Sequence, residues 1–164
     1  MSYLSAILAA FVILSCPPED FLEGLTYFED SPREAKVYYG GNEYIGGMPV
    51  GSVLYIFDRK TDKFIGLRVK VTFDEDLKET FAEEGRFQPG QGFWVVKGPP
   101  EDAELYFNAV HRFFSEQFVI LPSMEYADTS SRLAAWDLPG YKAEITLMET
   151  DGILTLTAEV TEKS

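Results

Sequence analysis

The sequence contains a single cysteine and a single histidine among its 164 residues. One cysteine cannot form an intrachain disulfide, and one cysteine with one histidine is too few ligands for a zinc site of the Cys/His type. A lone histidine acts as a general base only beside a nucleophile and an orienting group, and no local motif supplies them. We therefore predict no metal, no cofactor and no catalytic set, and interpret His111 as a structural residue.

Basic residues are also scarce. Lysine and arginine number 14 against 27 aspartates and glutamates, which gives a net charge of −13. A chain of this charge repels the phosphates of nucleic acids and the headgroups of anionic lipids. The charge predicts no nucleic-acid partner and no direct binding to an acidic membrane, and it favours a basic protein or a small ligand.

Adjacent acidic residues recur along the chain without forming a known motif. They lack the spaced ligands and the glycine turn of a calcium loop. Neighbouring acids also do not establish the facing geometry that a carboxylate-dependent hydrolase needs. We interpret them as a solvated surface, and keep the hydrolase as an alternative; the acidic groups are Glu29-Asp30, Asp74-Glu75-Asp76, Glu83-Glu84 and Glu101-Asp102.

Charge is absent from the start of the chain, where no acidic or basic residue precedes Glu19. The apolar run from Tyr3 to Ser15 is shorter than the ~20 residues of a membrane-spanning helix, and it fits the hydrophobic region of a secretory leader, ~7–15 residues. The pentapeptide Val12-Ile13-Leu14-Ser15-Cys16 resembles a bacterial lipoprotein signal, and this resemblance implies lipid attachment at Cys16. We predict a leader over residues 1–16, and an exported protein that meets the membrane only through Cys16. The alternative is a buried N-terminal helix in a cytoplasmic protein.

The remaining residues, 17–164, have the composition of one folded domain. Apolar residues make up 46% of the chain and charged residues 25%, close to the average for soluble globular proteins. Apolar side chains recur at steps of three or four between Pro99 and Phe118, after two prolines and several acids, which predicts the principal helix. A second, polar helix is expected over Asp74–Glu84, and a short one between Glu19 and Gly24.

Hairpin patterns account for most of the rest. Val50–Phe57 and Phe64–Phe73 flank a polar turn, and we expect the first of these strands to be covered on both faces. Tyr141–Met148 and Ile153–Val160 flank Asp151-Gly152, a strong hairpin signal. Shorter strands are expected at Glu34–Gly40, Gly92–Lys97 and Arg132–Trp136. These patterns predict an α+β fold, in which an antiparallel sheet of two hairpins plus short strands has helices packed on one face.

A glycine-rich stretch leads into the first hairpin. Gly46-Gly47-Met48-Pro49-Val50 precedes Leu54-Tyr55-Ile56-Phe57, and a helix and a tryptophan-containing final hairpin follow. This order resembles that of small uncharacterised exported bacterial α+β domains. The resemblance covers about Glu34 to Val160 and implies no particular activity.

Three tyrosines are the candidate ligand-binding residues. Tyr38, Tyr39 and Tyr44 lie in a stretch that is rich in glycine and poor in aliphatic residues. They could form an exposed platform for a sugar, a peptide or a protein, because tyrosine combines a rigid apolar ring with a polar tip. The alternative is aromatic packing on the surface of a strand.

Together these features predict a non-enzymatic exported or envelope-anchored binding module. An acidic inhibitor or immunity-type protein that binds a basic protein is the first alternative. A hydrolase that uses carboxylate chemistry is the second.

Overall fold

The computed structural model of the chain describes residues 25–27, 35–39, 43–74, 78–82 and 93–163. The predicted leader with Cys16 and the short helix expected between Glu19 and Gly24 lie outside these residues. Within them the chain forms strands β1 (Thr26–Tyr27), β2 (Ala35–Tyr39), β3 (Glu43–Ile45), β4 (Met48–Gly51), β5 (Leu54–Asp58), β6 (Phe64–Phe73), β7 (Lys78–Ala82), β8 (Phe93–Gly98), β9 (Met124–Ala127), β10 (Ser131–Leu138), β11 (Tyr141–Thr150) and β12 (Ile153–Glu162), and the helix α1 (Ala103–Phe118).

Most of the strands belong to one large sheet. Its main path runs β1-β2-β5-β6-β12-β11-β10-β9, and every neighbouring pair on this path is antiparallel. The end of β6 also pairs in parallel with β8, which pairs in turn with β7. Strands β3 and β4 form a separate two-stranded sheet. An α+β chain built mainly from antiparallel sheet is therefore confirmed.

The principal helix is confirmed with the predicted apolar stripe. A 3-10 turn at Pro100–Asp102 opens it, and acidic residues in the first turns suit the positive end of the helix dipole. Each residue predicted for the stripe is buried; these are Ala103, Phe107, Val110, Phe114 and Phe118. The helix ends at Val119, whose backbone is left-handed with φ 58°.

The C-terminal hairpin is also confirmed. Strands β11 and β12 pair along their whole length, from Tyr141 opposite Glu162 to Thr150 opposite Ile153. Asp151 and Gly152 between them both have positive φ, 54° and 80°. A type I′ turn needs positive φ at both central residues, which Asp-Gly tolerates at low cost.

The core lies between α1 and the large sheet. The ring of Tyr106 on α1 lies 5.3 Å from the ring of Phe73 on β6, and that of Phe114 lies 5.5 Å from Trp136 on β10. The Tyr106 hydroxyl donates a hydrogen bond of 2.8 Å to the carbonyl of Pro49. Helix, sheet and the small β3–β4 hairpin therefore share one apolar cluster.

Three sequence predictions differ from the structure. The strand expected over Val50–Phe57 is divided, because β4 ends at Gly51 and β5 begins only at Leu54. Lys78–Ala82, expected within a polar helix over Asp74–Glu84, is strand β7 and pairs with β8. A short helix with a thin apolar stripe is marginal alone, and pairing with a neighbouring strand outweighs its weak propensity. In β5, Leu54 and Ile56 are only half-buried, so this strand is fully covered on one face rather than on both.

Candidate functional site

Strand β9 lies at one end of the large sheet. It pairs with β10 and, among the described strands, with no other. All four of its residues are exposed. We call these residues, Met124–Ala127, the β9 edge.

The two faces of the β9 edge differ in chemistry. Met124 and Tyr126 lie on one face, 51% and 57% exposed, although both have large apolar surfaces. Glu125 and Ala127 lie on the opposite face, which is the face that carries α1. The β9 edge thus presents an apolar face and an acidic face at the same open border.

Half of the residues of the β9 edge direct their backbone amide and carbonyl groups away from the described sheet. The Asp128 amide donates to the Ser131 carbonyl at 2.9 Å. This bond fixes which residues of β9 form hydrogen bonds with β10 and which do not. Because hydrogen-bonded and non-hydrogen-bonded residues alternate in an antiparallel pair, the amide and carbonyl groups of Glu125 and Ala127 point away from β10. Such groups form a template for another strand.

His111 connects α1 to the β9 edge. Its Nε2 lies 2.7 Å from Oε1 of Glu125, and its ring meets the Trp136 ring edge-on with centroids 5.3 Å apart. Both contacts fix the imidazole against the sheet. The structure therefore places His111 in a positioning role for Glu125.

A second polar contact lies beside the first. Arg132 on β10 forms an ion pair with Glu104 on α1, and its guanidinium carbon lies 4.1 Å from the centroid of the Phe107 ring. A guanidinium over an aromatic face is attracted by the ring quadrupole. These contacts attach α1 firmly to the sheet beside β9, which gives the open border a rigid support.

The loop after α1 exposes further apolar side chains. Val119 and Leu121 are 83% and 81% exposed, and an open groove of about 470 Å³ lies between this loop and the last turns of α1. Val119 is also strained, since a β-branched residue in the left-handed region costs roughly 1–2 kcal/mol.

Asp128 organises the turn that follows β9. Its carboxylate accepts hydrogen bonds from the amides of Ser130 and Ser131 at 2.7 and 2.8 Å, and from the Tyr126 hydroxyl at 2.7 Å. The amide of Ser130, followed by the hydroxyl of Tyr126, lowers the pKa of Asp128 from 3.8 to about 2. The ionised carboxylate thereby holds the Tyr126 ring in place on the β9 edge.

The lowered pKa of Asp128 predicts how the stability of the protein changes with pH. Because the pKa of Asp128 is lower in the folded chain than in the unfolded one, the ionised carboxylate stabilises the fold above pH 3.8. This contribution is lost as the pH falls toward about 2. We expect Asp128→Asn to lower the melting temperature at pH 6, and the difference from the unsubstituted protein to close between pH 4 and pH 2. Melting curves followed by circular dichroism across this range measure the difference.

Asp137→Asn is the matched control, because Asp137 is an exposed aspartate whose only described ion pair is with Lys163. We expect a small change in its melting temperature at every pH. A difference for Asp128→Asn that stays constant from pH 6 to pH 2 would contradict the role given to the carboxylate.

The three tyrosines predicted from the sequence do not share one exposed surface. Tyr38 and Tyr39 are neighbours on β2 and point to opposite faces; Tyr38 packs edge-on against Tyr27 and Phe57, and Tyr39 is only 6% exposed. Tyr44 lies on β3, in the small sheet, and is 52% exposed. Of the three, Tyr44 alone has the exposure that a platform requires.

The sequence pattern does not indicate the β9 edge. Met124–Ala127 has no buried face and so shows no alternation that periodicity could detect.

No helix among the described residues is long and apolar enough to cross a bilayer. In the same part of the chain, no three His, Cys, Asp or Glu side chains are grouped for a metal ion.

Comparisons with protein-family models, with curated proteins and with solved structures found no match for the chain.

Proposed function

We propose that this protein is a non-enzymatic exported or envelope-anchored binding module that recognises its partner through the β9 edge. The observation that carries the proposal is the exposure of Met124 and Tyr126 on a border of the sheet that no other described strand pairs with. Exposed apolar side chains grouped beside polar ones are typical of interaction sites.

Export is the part of the proposal that rests on the sequence alone. Residues 1–16 serve as the leader, with Cys16 as the site of lipid attachment. A second part of the proposal is that helices cover a single face of the sheet. The burial of the apolar stripe of α1 against the sheet supports it. An anchored domain of this kind leaves its sheet border free to meet a partner.

Charge favours a basic protein as the partner. The net charge of −13 steers cations toward the chain. An acidic inhibitor or immunity-type protein, which blocks a basic protein by the same complementarity, is the second candidate function. The inhibitor differs from the exported binding module in its location, because it needs no leader.

Neither Asp58 nor Asp128 supports carboxylate catalysis. Hydrogen bonds from neighbouring backbone amides lower the pKa of both carboxyl groups. A general acid at neutral pH needs a raised pKa. Both carboxylates instead organise turns.

Capture from a bacterial envelope extract tests the proposal. The full chain with a C-terminal tag is immobilised beside the double variant Met124→Ser/Tyr126→Ser. We expect a basic protein, identified by mass spectrometry, to be enriched at low salt and at least about tenfold reduced on the double variant, as for the loss of interface anchors.

Leu105→Ser is the matched control, because Leu105 is a large apolar residue that is 59% exposed on α1 and away from the β9 edge. This variant should retain the captured protein. The proposal fails if no protein is enriched at any salt concentration, or if Leu105→Ser loses the partner as completely as the double variant.

A further inference from the structure

We propose that the β9 edge binds an extended segment of its partner by strand addition, and that the segment alternates basic and apolar residues. This inference rests on the proposed function, and it specifies how the partner is held and what sequence pattern it carries.

The backbone supplies the first argument. The outward amide and carbonyl groups of Glu125 and Ala127 are spaced like those of any edge strand, so an added strand can continue the ladder. The protection of this edge against such pairing is limited to its short length and the charge of Glu125, because β9 has no proline and no lysine.

Side-chain direction supplies the second argument. In an added strand, residues that face the same way as Met124 and Tyr126 meet apolar surface, and those that face the opposite way meet Glu125. The Tyr126 hydroxyl donates to Asp128, which fixes the ring at the border. The matching segment therefore has apolar residues at alternate positions and basic residues between them.

The local charge supports the same partner. Glu125 has 60% of its side chain exposed despite its contact with His111. The last turn of α1 contains no basic residue, so the negative end of the helix dipole is uncompensated close to the loop that leads into β9. Both features attract lysine or arginine.

A second copy of this chain fits the β9 edge poorly. It would bring the same Glu125 and a further net charge of −13 to the border, and like charges repel. A basic segment from a different protein meets no such repulsion. We therefore assign the border to a hetero-partner.

Titration with a synthetic peptide tests the inference. The probe is acetyl-Val-Lys-Val-Lys-Val-Lys-amide, added to the full ¹⁵N-labelled protein at low salt and followed by amide NMR shifts and hydrogen exchange. We expect saturable shifts and slowed exchange at Glu125 and Ala127, and at least about tenfold weaker binding of the analogue with glutamate in place of lysine.

Three variants separate backbone pairing from simple charge attraction. Ala127→Pro removes an outward amide without removing a hydrogen bond to β10, and should weaken the lysine peptide about tenfold. Ala127→Ser keeps that amide and should bind like the unsubstituted protein. Glu125→Lys should reverse the preference toward the glutamate peptide, and it provides a reading even if the proline variant does not fold.

The outcomes distinguish this inference from the proposed function. Peptide shifts that lie elsewhere, equal binding of both peptides, or a dimer by sedimentation with protected Glu125 and Ala127 amides would overturn strand addition. If the envelope partner is captured by Ala127→Pro as well as by the unsubstituted protein, the binding function stands and strand addition is wrong. If no partner is captured at all, the proposed function itself fails.

Discussion

Replacing Trp136 with alanine is expected to lower the free energy of unfolding by about 3–5 kcal/mol, the range for truncating a large buried aromatic residue. Trp136 has no exposed surface and packs edge-on against the rings of Phe114 and His111, at 5.5 and 5.3 Å, with Phe118 at 6.5 Å. The smaller side chain leaves a cavity that the surrounding rings cannot fill without leaving their contacts with the sheet.

Trp136→Phe provides the matched control. The indole Nε1 is buried with no hydrogen-bond partner among the described residues, so phenylalanine removes a buried, unsatisfied donor together with part of the ring. We expect a smaller loss than for alanine, because phenylalanine keeps one ring in place and leaves a smaller cavity. Urea denaturation followed by far-ultraviolet circular dichroism measures both variants, and an equal loss for the two would contradict this account of the site.

Substituting Gly66 with alanine is the second change with a large expected effect, a loss of about 1–3 kcal/mol from overpacking. A Cβ at this position would lie 2.6 Å from the backbone oxygen of Val160. Gly66 lies on β6, between β5 and β12, and pairs with Thr161. A backbone oxygen in the middle of a sheet cannot rotate away as a side chain can, so strands must shift to relieve the contact.

Lys70→Ala is the control for the glycine substitution. Lys70 lies on the same strand and the same face as Gly66, but it is exposed, and we expect a change within about 0.5 kcal/mol. Denaturation curves for the two variants should therefore differ clearly in midpoint. Equal midpoints would show that the sheet accommodates a side chain at Gly66.

Sequence patterns predicted the helix and the strands that bury only one face. The stripe on α1 and the alternation along β12 come from single faces that meet the core, so their periodicity is visible in the sequence. Asp151-Gly152 marks its turn because few other dipeptides accept positive φ at both positions. Shorter strands at Glu34–Gly40 and Arg132–Trp136 were located to within a few residues.

Elements that depend on distant partners were not predictable in the same way. Lys78–Ala82 is a strand because β8 lies beside it, and the parallel pairing of β8 with β6 has no local signature. The burial of Tyr39 likewise follows from its place in a strand pair, opposite Leu54, rather than from its own neighbours in sequence. For this reason the predicted tyrosine platform is not assembled as expected, and the exposed β9 edge went unnoticed.

The pairing of β6 with β12 has a consequence for how the protein folds. Leu67 lies opposite Val160 and Phe73 lies opposite Leu154, so the central strand acquires its full-length neighbour from near the far end of the chain. The two strands lie far apart in sequence, and contacts so distant form slowly. Until β12 pairs with β6, the edge of β6 that faces it stays open, so we expect the closing of this ladder to be a late step in folding.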